Sequence, residues 1–171
     1  VSVFVRESND DALALIDAFT KHVTTGMPFV VAKFAMSLDG KIATRSGDSK
    51  WISSAPARTY AHALRAGVDA VMVGIGTALA DDPQLTVRDA PLNGEQPVRV
   101  VVDTHARLPI NAAMLSERGT TIVASAGAAP ERVQALEAAG AVVVDTGTGD
   151  AVDLMKLLTA LGSRDITSVL V

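Results

Sequence analysis

Polar and charged side chains suited to ligand binding follow several of the apolar runs in this sequence. The segment SLDGKIATRSGDSKWIS at 37–53 turns at Asp39-Gly40 and then presents Ser49 and the only tryptophan, Trp51. An indole in a polar loop can form a stacking wall for a flat ligand, and it can equally cover the edge of a hydrophobic core. Both interpretations of Trp51 are consistent with the sequence.

A second segment, VMVGIGTALADDP at 71–83, has the form of a strand that ends in a phosphate-binding loop. Gly74, Gly76 and Thr77 follow the apolar run, and glycines let backbone amides approach an anion. The dinucleotide motif G-x-G-x-x-G lacks its third glycine here, which disfavours a standard Rossmann domain. Asp81 is expected either to hydrogen-bond the hydroxyl or amide groups of a ligand or to belong to an Asp-Asp-Pro helix end.

Three cations complete the set of residues that could carry chemistry. Arg65 lies at the predicted end of a helix, where the helix dipole favours a positive charge, whereas Arg88 follows QLTV in a long loop. Two guanidinium groups that converge on one phosphate form a strong recognition site, because each offers a planar fork of donors. Lys33 interrupts the apolar run FVVAKFA. It either extends its ammonium group from a sheet edge or, if buried, supplies a proton or binds an anion.

The composition restricts the classes of protein to which the chain can belong. Its 171 residues suffice for one domain with a core, and 49% of them are hydrophobic. The formal charge of −4 and the lack of a Lys/Arg cluster argue against nucleic-acid binding. Without cysteine the chain forms no thiolate zinc site, and its three scattered histidines suggest no metal. Because no apolar run approaches the roughly 18 residues of a membrane span, we expect a cytoplasmic protein without membrane association.

The elements that must position these residues alternate along the chain. Helices are expected at 8–23, 54–66, 130–139 and 151–161, with Ser54 capping the second. Apolar, β-branched runs predict strands at 29–35, 69–74, 98–103, 120–125, 141–145 and 166–171. Apolar strands separated by helices are typical of an α/β fold with a mostly parallel sheet covered on both faces. Ligands of such sheets bind beyond the carboxyl ends of the strands, which is where the polar segments lie.

Taken together, four segments resemble the reductase domain of the bifunctional riboflavin biosynthesis deaminase/reductase family. They are VVAKFAMSLDGKIAT, GDSKWIS, HALRAGVDAVMVGIGTALADDPQLTVR and QPVRVVVD, and they occur in the family's order. The resemblance covers residues 25–171 and makes 1–24 a helical lead-in or linker. It implies a dihydrofolate-reductase-like fold, with three layers, α/β/α. It also implies the NADPH-dependent reduction of 5-amino-6-(5-phosphoribosylamino)uracil, in which hydride reaches C1′ of the ribose.

The resemblance also implies roles for individual residues. Lys33 and Asp81 are the candidates for orienting the substrate or supplying a proton to the ring oxygen of the sugar. The positions that match substrate contacts are Ser49, Arg65, Leu85 and Arg88, and the two arginines suit the ribose 5-phosphate. The positions that match NADP contacts, together with the glycine loop, are Ala35, Trp51, Gly74, Gly76, Thr77, Asp81 and Asp103.

The resemblance leaves several functional alternatives open. Some relatives reduce 2,5-diamino-6-(5-phosphoribosylamino)pyrimidin-4-one before deamination, and the motifs do not separate the two substrates. Family members continue after SVLV with a Glu-Gly-Gly loop that contacts both ligands, so we expect this site to be incomplete and keep an inactive nucleotide-binding remnant as an alternative. A folate-type reductase is disfavoured, because dihydrofolate offers no phosphate to the two arginines. Without zinc-binding motifs no deaminase activity is expected, and the family predicts a homodimer.

Overall fold

The computed structural model describes residues 15–88, 90–92, 94–147 and 149–171, which form a parallel sheet with helices on both faces. Its strands pair in the order β1-β6-β2-β3-β4-β5. The predicted α/β class is confirmed. The strands are β1 (Phe29–Val31), β2 (Ala70–Gly74), β3 (Val98–Val102), β4 (Thr121–Ser125), β5 (Ala141–Asp145) and β6 (Ser168–Leu170).

The helices that the sequence predicts at 54–66, 130–139 and 151–161 are all present. The first begins after Ser54, whose hydroxyl oxygen accepts a hydrogen bond from the Ala57 amide at 3.4 Å. The first part of the predicted helix 8–23 lies outside the described residues. The short helix after β2 agrees with the helix end predicted at Asp-Asp-Pro, whereas the short helix after β3 was not predicted. The full set is α1 (Asp17–Thr25), α2 (Ala55–Ala66), α3 (Ile75–Asp81), α4 (Ala113–Ser116), α5 (Pro130–Ala138) and α6 (Leu154–Gly162).

The core lies in two layers, because alternate side chains of the central strands point to opposite faces of the sheet. One face packs against α5, whose Leu136 is fully buried, and the other packs against α6 through Leu157 and Leu161. The predicted three-layer arrangement is therefore present. Val71, Val101 and Val123 face α5, whereas Met72, Val100 and Ile122 face α6.

The first strand is shorter than the predicted 29–35, and Lys33 lies beyond its end. Among the described residues β1 forms an edge of the sheet, and it pairs there with β6 alone, from Phe29 to Val31. The Lys33 amide still donates to the carbonyl of Val171 at 2.9 Å, but the segment that follows is irregular. The side chain of Lys33 is exposed, so the interpretation of a buried lysine is wrong. A strand paired on one edge tolerates a lysine, because the long side chain reaches solvent.

Two tight junctions hold the edge of the sheet to its neighbours. The carboxylate of Asp69, just before β2, accepts hydrogen bonds of 2.6 to 3.1 Å from the amides and hydroxyls of Thr167 and Ser168. At the end of α6, Gly162 packs directly on the Gly26 carbonyl that follows α1, where a Cβ would overlap that oxygen. Both contacts fix β6 and the helices beside it.

A buried arginine organises the turn before β4. The side chain of Arg99 is 1% exposed, and its Nε donates to the Thr121 hydroxyl at 2.8 Å. Its terminal nitrogens donate to the backbone carbonyls of residues 117, 118 and 119 at 2.7 to 3.2 Å. Burial lowers the pKa of Arg99, an effect that the negative charge of Glu117 opposes. The guanidinium group thus binds the carbonyls of the three residues that follow α4.

Candidate active site

A cleft opens at the carboxyl ends of β1, β6 and β2. It has two adjoining lobes of about 420 and 470 Å³, and Lys33, Ala35, Ser49, Arg65 and Asp81 line both of them. All five residues belong to the set predicted from the sequence. Parallel strands bring their carboxyl ends to one edge, so segments far apart in the chain meet here. We name the smaller part the outer lobe and the larger part the inner lobe.

The outer lobe brings the two predicted phosphate-binding arginines together. Arg65 and Arg88 both line it, and the guanidinium group of Arg65 also donates to the backbone carbonyl of Thr86 at 3.3 Å. Burial lowers the pKa of Arg65, and the positive charge of Arg88 lowers it further. The two side chains are therefore near enough to interact electrostatically, which the sequence could not establish.

Helix α2 supplies one continuous wall of the outer lobe. Arg58, Ala61, His62 and Arg65 recur at helical spacing and all line the cleft. His62 is buried, and its Nδ1 accepts a hydrogen bond from the Arg88 amide at 3.4 Å. The sequence reasoning missed Arg58 and His62. Their separation from Arg65 by seven and three residues, on a correctly predicted helix, was the signal that could have identified them.

Trp51 forms the rim of the outer lobe and does not cover the core. Its side chain is 71% exposed, which excludes the interpretation as a core-capping residue. The guanidinium carbon of Arg58 lies 4.2 Å from the centre of the indole ring. Arg58 also donates to the Ser53 carbonyl at 2.7 Å, so two contacts fix its position above the ring. The exposed indole leaves a flat apolar surface for a ligand ring.

The inner lobe contains the predicted glycine loop and its surroundings. Gly74 and Thr77 line this lobe, together with the buried Leu85 and the carboxyl end of β6. A Cβ atom built on Gly74 or Gly76 would meet no atom within 4 Å, so the backbone there is open to an approaching group. Thr77 is exposed on the first turn of α3. Most of the predicted cofactor and substrate positions thus line one cleft.

The two aspartates at the end of α3 have different surroundings. Asp81, the last helical residue, lines both lobes and is exposed. Asp82 adopts a left-handed conformation with φ of 41° and accepts a hydrogen bond from the Ala113 amide at 2.8 Å. Both interpretations of the Asp-Asp-Pro segment therefore hold, with Asp81 at the cleft and Asp82 closing the helix.

Asp103 stands apart from the other predicted site residues. It follows β3 at the same edge of the sheet, but its side chain is 0% exposed and it lines neither lobe. One carboxylate oxygen accepts a hydrogen bond from the Leu108 amide at 2.8 Å, and the other lies 3.6 Å from Nε of Arg107. In this structure the carboxylate of Asp103 orders the loop after β3. A ligand at this edge of the sheet would therefore contact atoms near Asp103 and not its carboxylate.

The charge of the outer lobe is opposite in sign to that of the whole chain. Lys33, Lys50, Arg58, Arg65 and Arg88 line it, and Asp81 is the carboxylate among its lining residues in the described part of the chain. The chain as a whole has a formal charge of −4. A concave site with clustered cations attracts small anions such as phosphate esters.

In the described ranges, no group of three or more His, Asp or Glu side chains is placed to hold a metal ion. None of the helices in those ranges has the length and apolar character that crossing a membrane would require.

Comparison with known proteins identifies the family. The family described as the RibD C-terminal domain matches residues 28–171. The chain belongs to the RibD C-terminal domain family. This confirms the resemblance to the riboflavin-pathway reductases and, with it, the dihydrofolate-reductase-like fold. Because the match begins at residue 28, the predicted boundary between 1–24 and 25–171 stays a prediction.

Individual relatives support the assignment. The riboflavin biosynthesis protein RibD of Aquifex aeolicus is 41% identical over 124 residues, which are 72% of this chain and 35% of that protein. The 2,5-diamino-6-ribosylamino-4(3H)-pyrimidinone 5′-phosphate reductase of Methanothermobacter thermautotrophicus is 47% identical over 141 residues, which cover 81% of this chain and 64% of that protein. The structure of Acinetobacter baumannii RibD superimposes with a TM-score of 0.78 at 38% identity, covering 94% of this chain and 44% of that one. The chain thus spans 35% to 64% of the length of these relatives.

Proposed function

We propose that this chain catalyses the NADPH-dependent reduction of a phosphoribosylaminopyrimidine in riboflavin biosynthesis. The observation that carries the proposal is the convergence of Arg65 and Arg88 in a cleft that Trp51 also lines. Two neighbouring guanidinium groups repel one another, and a phosphate bound between them replaces that repulsion with attraction. A phosphorylated substrate is therefore favoured over an uncharged one. The pathway, riboflavin biosynthesis, is inferred from membership of the family.

The side chains at the cleft fit a nicotinamide dinucleotide. Trp51 offers a flat surface for a ring, and the open backbone at Gly74 and Gly76 allows close approach of a phosphate. Ala35 and Thr77, which line the inner lobe, complete the set that would hold the cofactor. When bound, the reduced nicotinamide supplies a hydride to C1′ of the ribose as the bond from C1′ to O4′ opens.

The residues of the chain bind and orient the substrate and provide the proton. Arg65 and Arg88, with Ser49 beside them, hold the 5′-phosphate and so fix the sugar in the outer lobe. As the sugar ring opens, O4′ becomes a hydroxyl and needs a proton. Lys33 lines both lobes, and we assign its ammonium group as the donor to O4′. Asp81, which lines the same two lobes, accepts hydrogen bonds from the sugar hydroxyls.

A second candidate differs only in the pyrimidine. The Methanothermobacter relative, 47% identical, carries the name of the reductase for the 2,5-diamino-pyrimidinone 5′-phosphate. Its identity to this chain is higher than the 41% of the Aquifex RibD. The substrate that still has its 2-amino group is therefore a candidate of equal standing, and the ribosyl phosphate common to both compounds occupies the same arginines.

The test is a direct assay with both substrates. Purified protein is mixed with NADPH and each phosphoribosylaminopyrimidine, and the loss of NADPH absorbance and the ribitylamino product are followed. We expect turnover with one compound and much less with its dephosphorylated form, because Arg65 and Arg88 then lack their anion. Bound NADPH without turnover of either compound would favour the nucleotide-binding remnant over the enzyme.

The family also leads us to propose a homodimer. Large apolar side chains that include Phe34, Met36 and Ile42 are exposed beyond β1, and burial in an interface would remove them from water. Size-exclusion chromatography coupled to light scattering measures the mass of the protein in solution. A monomeric mass at concentrations well above those of the assay would contradict this proposal without affecting the enzymatic one.

A further inference from the structure

Arg58 occupies a position that phosphate binding alone does not explain. Its guanidinium group does not point freely into the outer lobe, because it lies over the indole of Trp51 with 4.2 Å between the guanidinium carbon and the ring centre. The donation to the Ser53 carbonyl at 2.7 Å holds it there. Arg58 is half-buried, whereas the indole is 71% exposed. The cation therefore covers one side of the ring and leaves the remaining surface open to the cleft.

A cation fixed above an aromatic ring changes what the ring will stack with. The face of an indole is negative and attracts a positive charge, and a guanidinium group placed over it uses that attraction. A second cationic ring stacked on the same indole would be held less well, since its charge is repelled by the first cation. A neutral ring meets no such repulsion.

The two redox states of a nicotinamide differ in this property. The ring is positively charged when oxidised and neutral when reduced, while the rest of the dinucleotide is the same. We propose that Arg58, through its stacking on Trp51, makes the cleft bind the reduced nicotinamide more tightly than the oxidised one. Arg58 is thus a specificity residue for the redox state, and it favours release of the oxidised cofactor after turnover. This inference rests on the proposed function, because it requires a nicotinamide at the indole.

Lys50 provides a matched control for charge. It lines the same lobe, carries the same formal charge as Arg58 and is exposed. If only the summed charge of the lobe repels the oxidised ring, Lys50→Gln and Arg58→Gln will have the same effect. If the stacked cation is responsible, Arg58→Gln alone will remove the discrimination.

The experiment measures the dissociation constants of NADPH and NADP⁺ by isothermal titration calorimetry for wild type, R58Q, R58K and K50Q. We expect the wild-type preference for NADPH to fall by about three- to tenfold in R58Q, mainly through tighter NADP⁺ binding, because the repulsion between Arg58 and the oxidised ring is removed. R58K should retain part of the preference, and K50Q should stay within about twofold of wild type. Because Trp51 is the only tryptophan, its fluorescence spectrum also reports whether Arg58 still contacts the ring.

Each outcome of this experiment has a definite meaning. An unchanged NADPH preference in R58Q, or an equal loss in K50Q, would overturn the proposed role of Arg58 while leaving the reductase assignment intact. Failure of the wild type to bind either form would instead contradict the proposed function, and the role of Arg58 with it. Circular dichroism checks that R58Q is folded, and R58K provides a second variant in which the charge is kept.

Discussion

Replacing Arg88 by alanine tests the phosphate site most directly. Arg88 is exposed and donates to the side chain of Gln84 at 2.8 Å, so its guanidinium group makes little contribution to the core. Its hydrogen bond to Nδ1 of His62 is donated by the backbone amide, which alanine also has. We therefore expect the variant to fold and to differ from wild type mainly in ligand binding.

The magnitude follows from two opposing terms. Loss of a charge-assisted contact to phosphate costs about 2 to 4 kcal/mol of substrate binding. Relief of the repulsion that lowers the pKa of Arg65 returns less than about 1 kcal/mol, because both groups lie near solvent. The net loss of about 1 to 4 kcal/mol corresponds to a rise in substrate KM of roughly 5- to 800-fold.

Steady-state kinetics with NADPH and the phosphorylated substrate measures this effect. The affinity for NADPH, obtained separately by calorimetry, should change by less than about threefold. Arg164→Ala is the matched control, because Arg164 is an exposed arginine after α6 that donates to the Ala160 carbonyl and lines neither lobe. Thermal unfolding of both variants should remain close to that of wild type.

Two results would refute the reasoning. Equal losses of affinity for substrate and NADPH would place Arg88 at a shared or structural position and not at the sugar phosphate. A large rise in KM for the dephosphorylated substrate as well would show that the guanidinium group acts on something other than the phosphate.

Three further predictions concern stability and are checked by chemical denaturation. Burial raises the pKa of Asp69, but the hydrogen bonds from Thr167 and Ser168 outweigh it and hold the pKa below its usual value. This stabilisation is present above the unfolded pKa near 3.9 and is lost as pH falls through the folded value. D69N should therefore weaken the dependence of the free energy of unfolding on pH in acid and lower that free energy by about 1 to 2 kcal/mol at neutral pH. Gly162→Ala should destabilise by about 1 to 3 kcal/mol or prevent folding, because its Cβ would overlap the Gly26 carbonyl, whereas Gly140→Asn, at a φ of 92°, is a milder control. Arg99→Ala leaves three carbonyls without their donor and should lower the free energy of unfolding by about 2 to 4 kcal/mol. Wild-type stability of the Gly162→Ala or the Arg99→Ala protein would contradict the structural role given to that residue.

The strands β2 to β5 were predictable because each is a short, continuous apolar run, and their predicted bounds differ from those observed by one residue at most. The errors lie in β1, at one edge of the sheet, and in the short elements. β1 ends early because its pairing depends on β6, a contact 139 residues distant in sequence between Phe29 and Ser168. The four residues of α4 carry too little periodicity to be read as a helix.

The members of the site were predictable from the sequence, but the contacts between them were not. Each predicted ligand residue was identified from its own short segment and from the family resemblance, and most of them line one cleft. The exceptions are Gly76, which lines neither lobe, and Asp103, whose burial depends on a loop that folds back over it to Leu108. To predict a contact between segments, such as that of Arg58 with Trp51, one must know the relative position of helix α2 and the loop that precedes it. Sequence spacing alone does not contain that information.

The contrast between an acidic chain and a cationic cleft restricts the ligands further. The cations of the outer lobe come from segments spread between residues 33 and 88, so no cluster is visible in the sequence. A long polyanion such as a nucleic acid would meet the acidic remainder of the surface, where it is repelled. A compact phosphate ester is small enough to lie entirely within the lobe and meets mainly positive charge. In the functions proposed here, Arg65 and Arg88 hold that ester, whereas Arg58 lies over the indole of Trp51 and acts on the redox state of the nicotinamide.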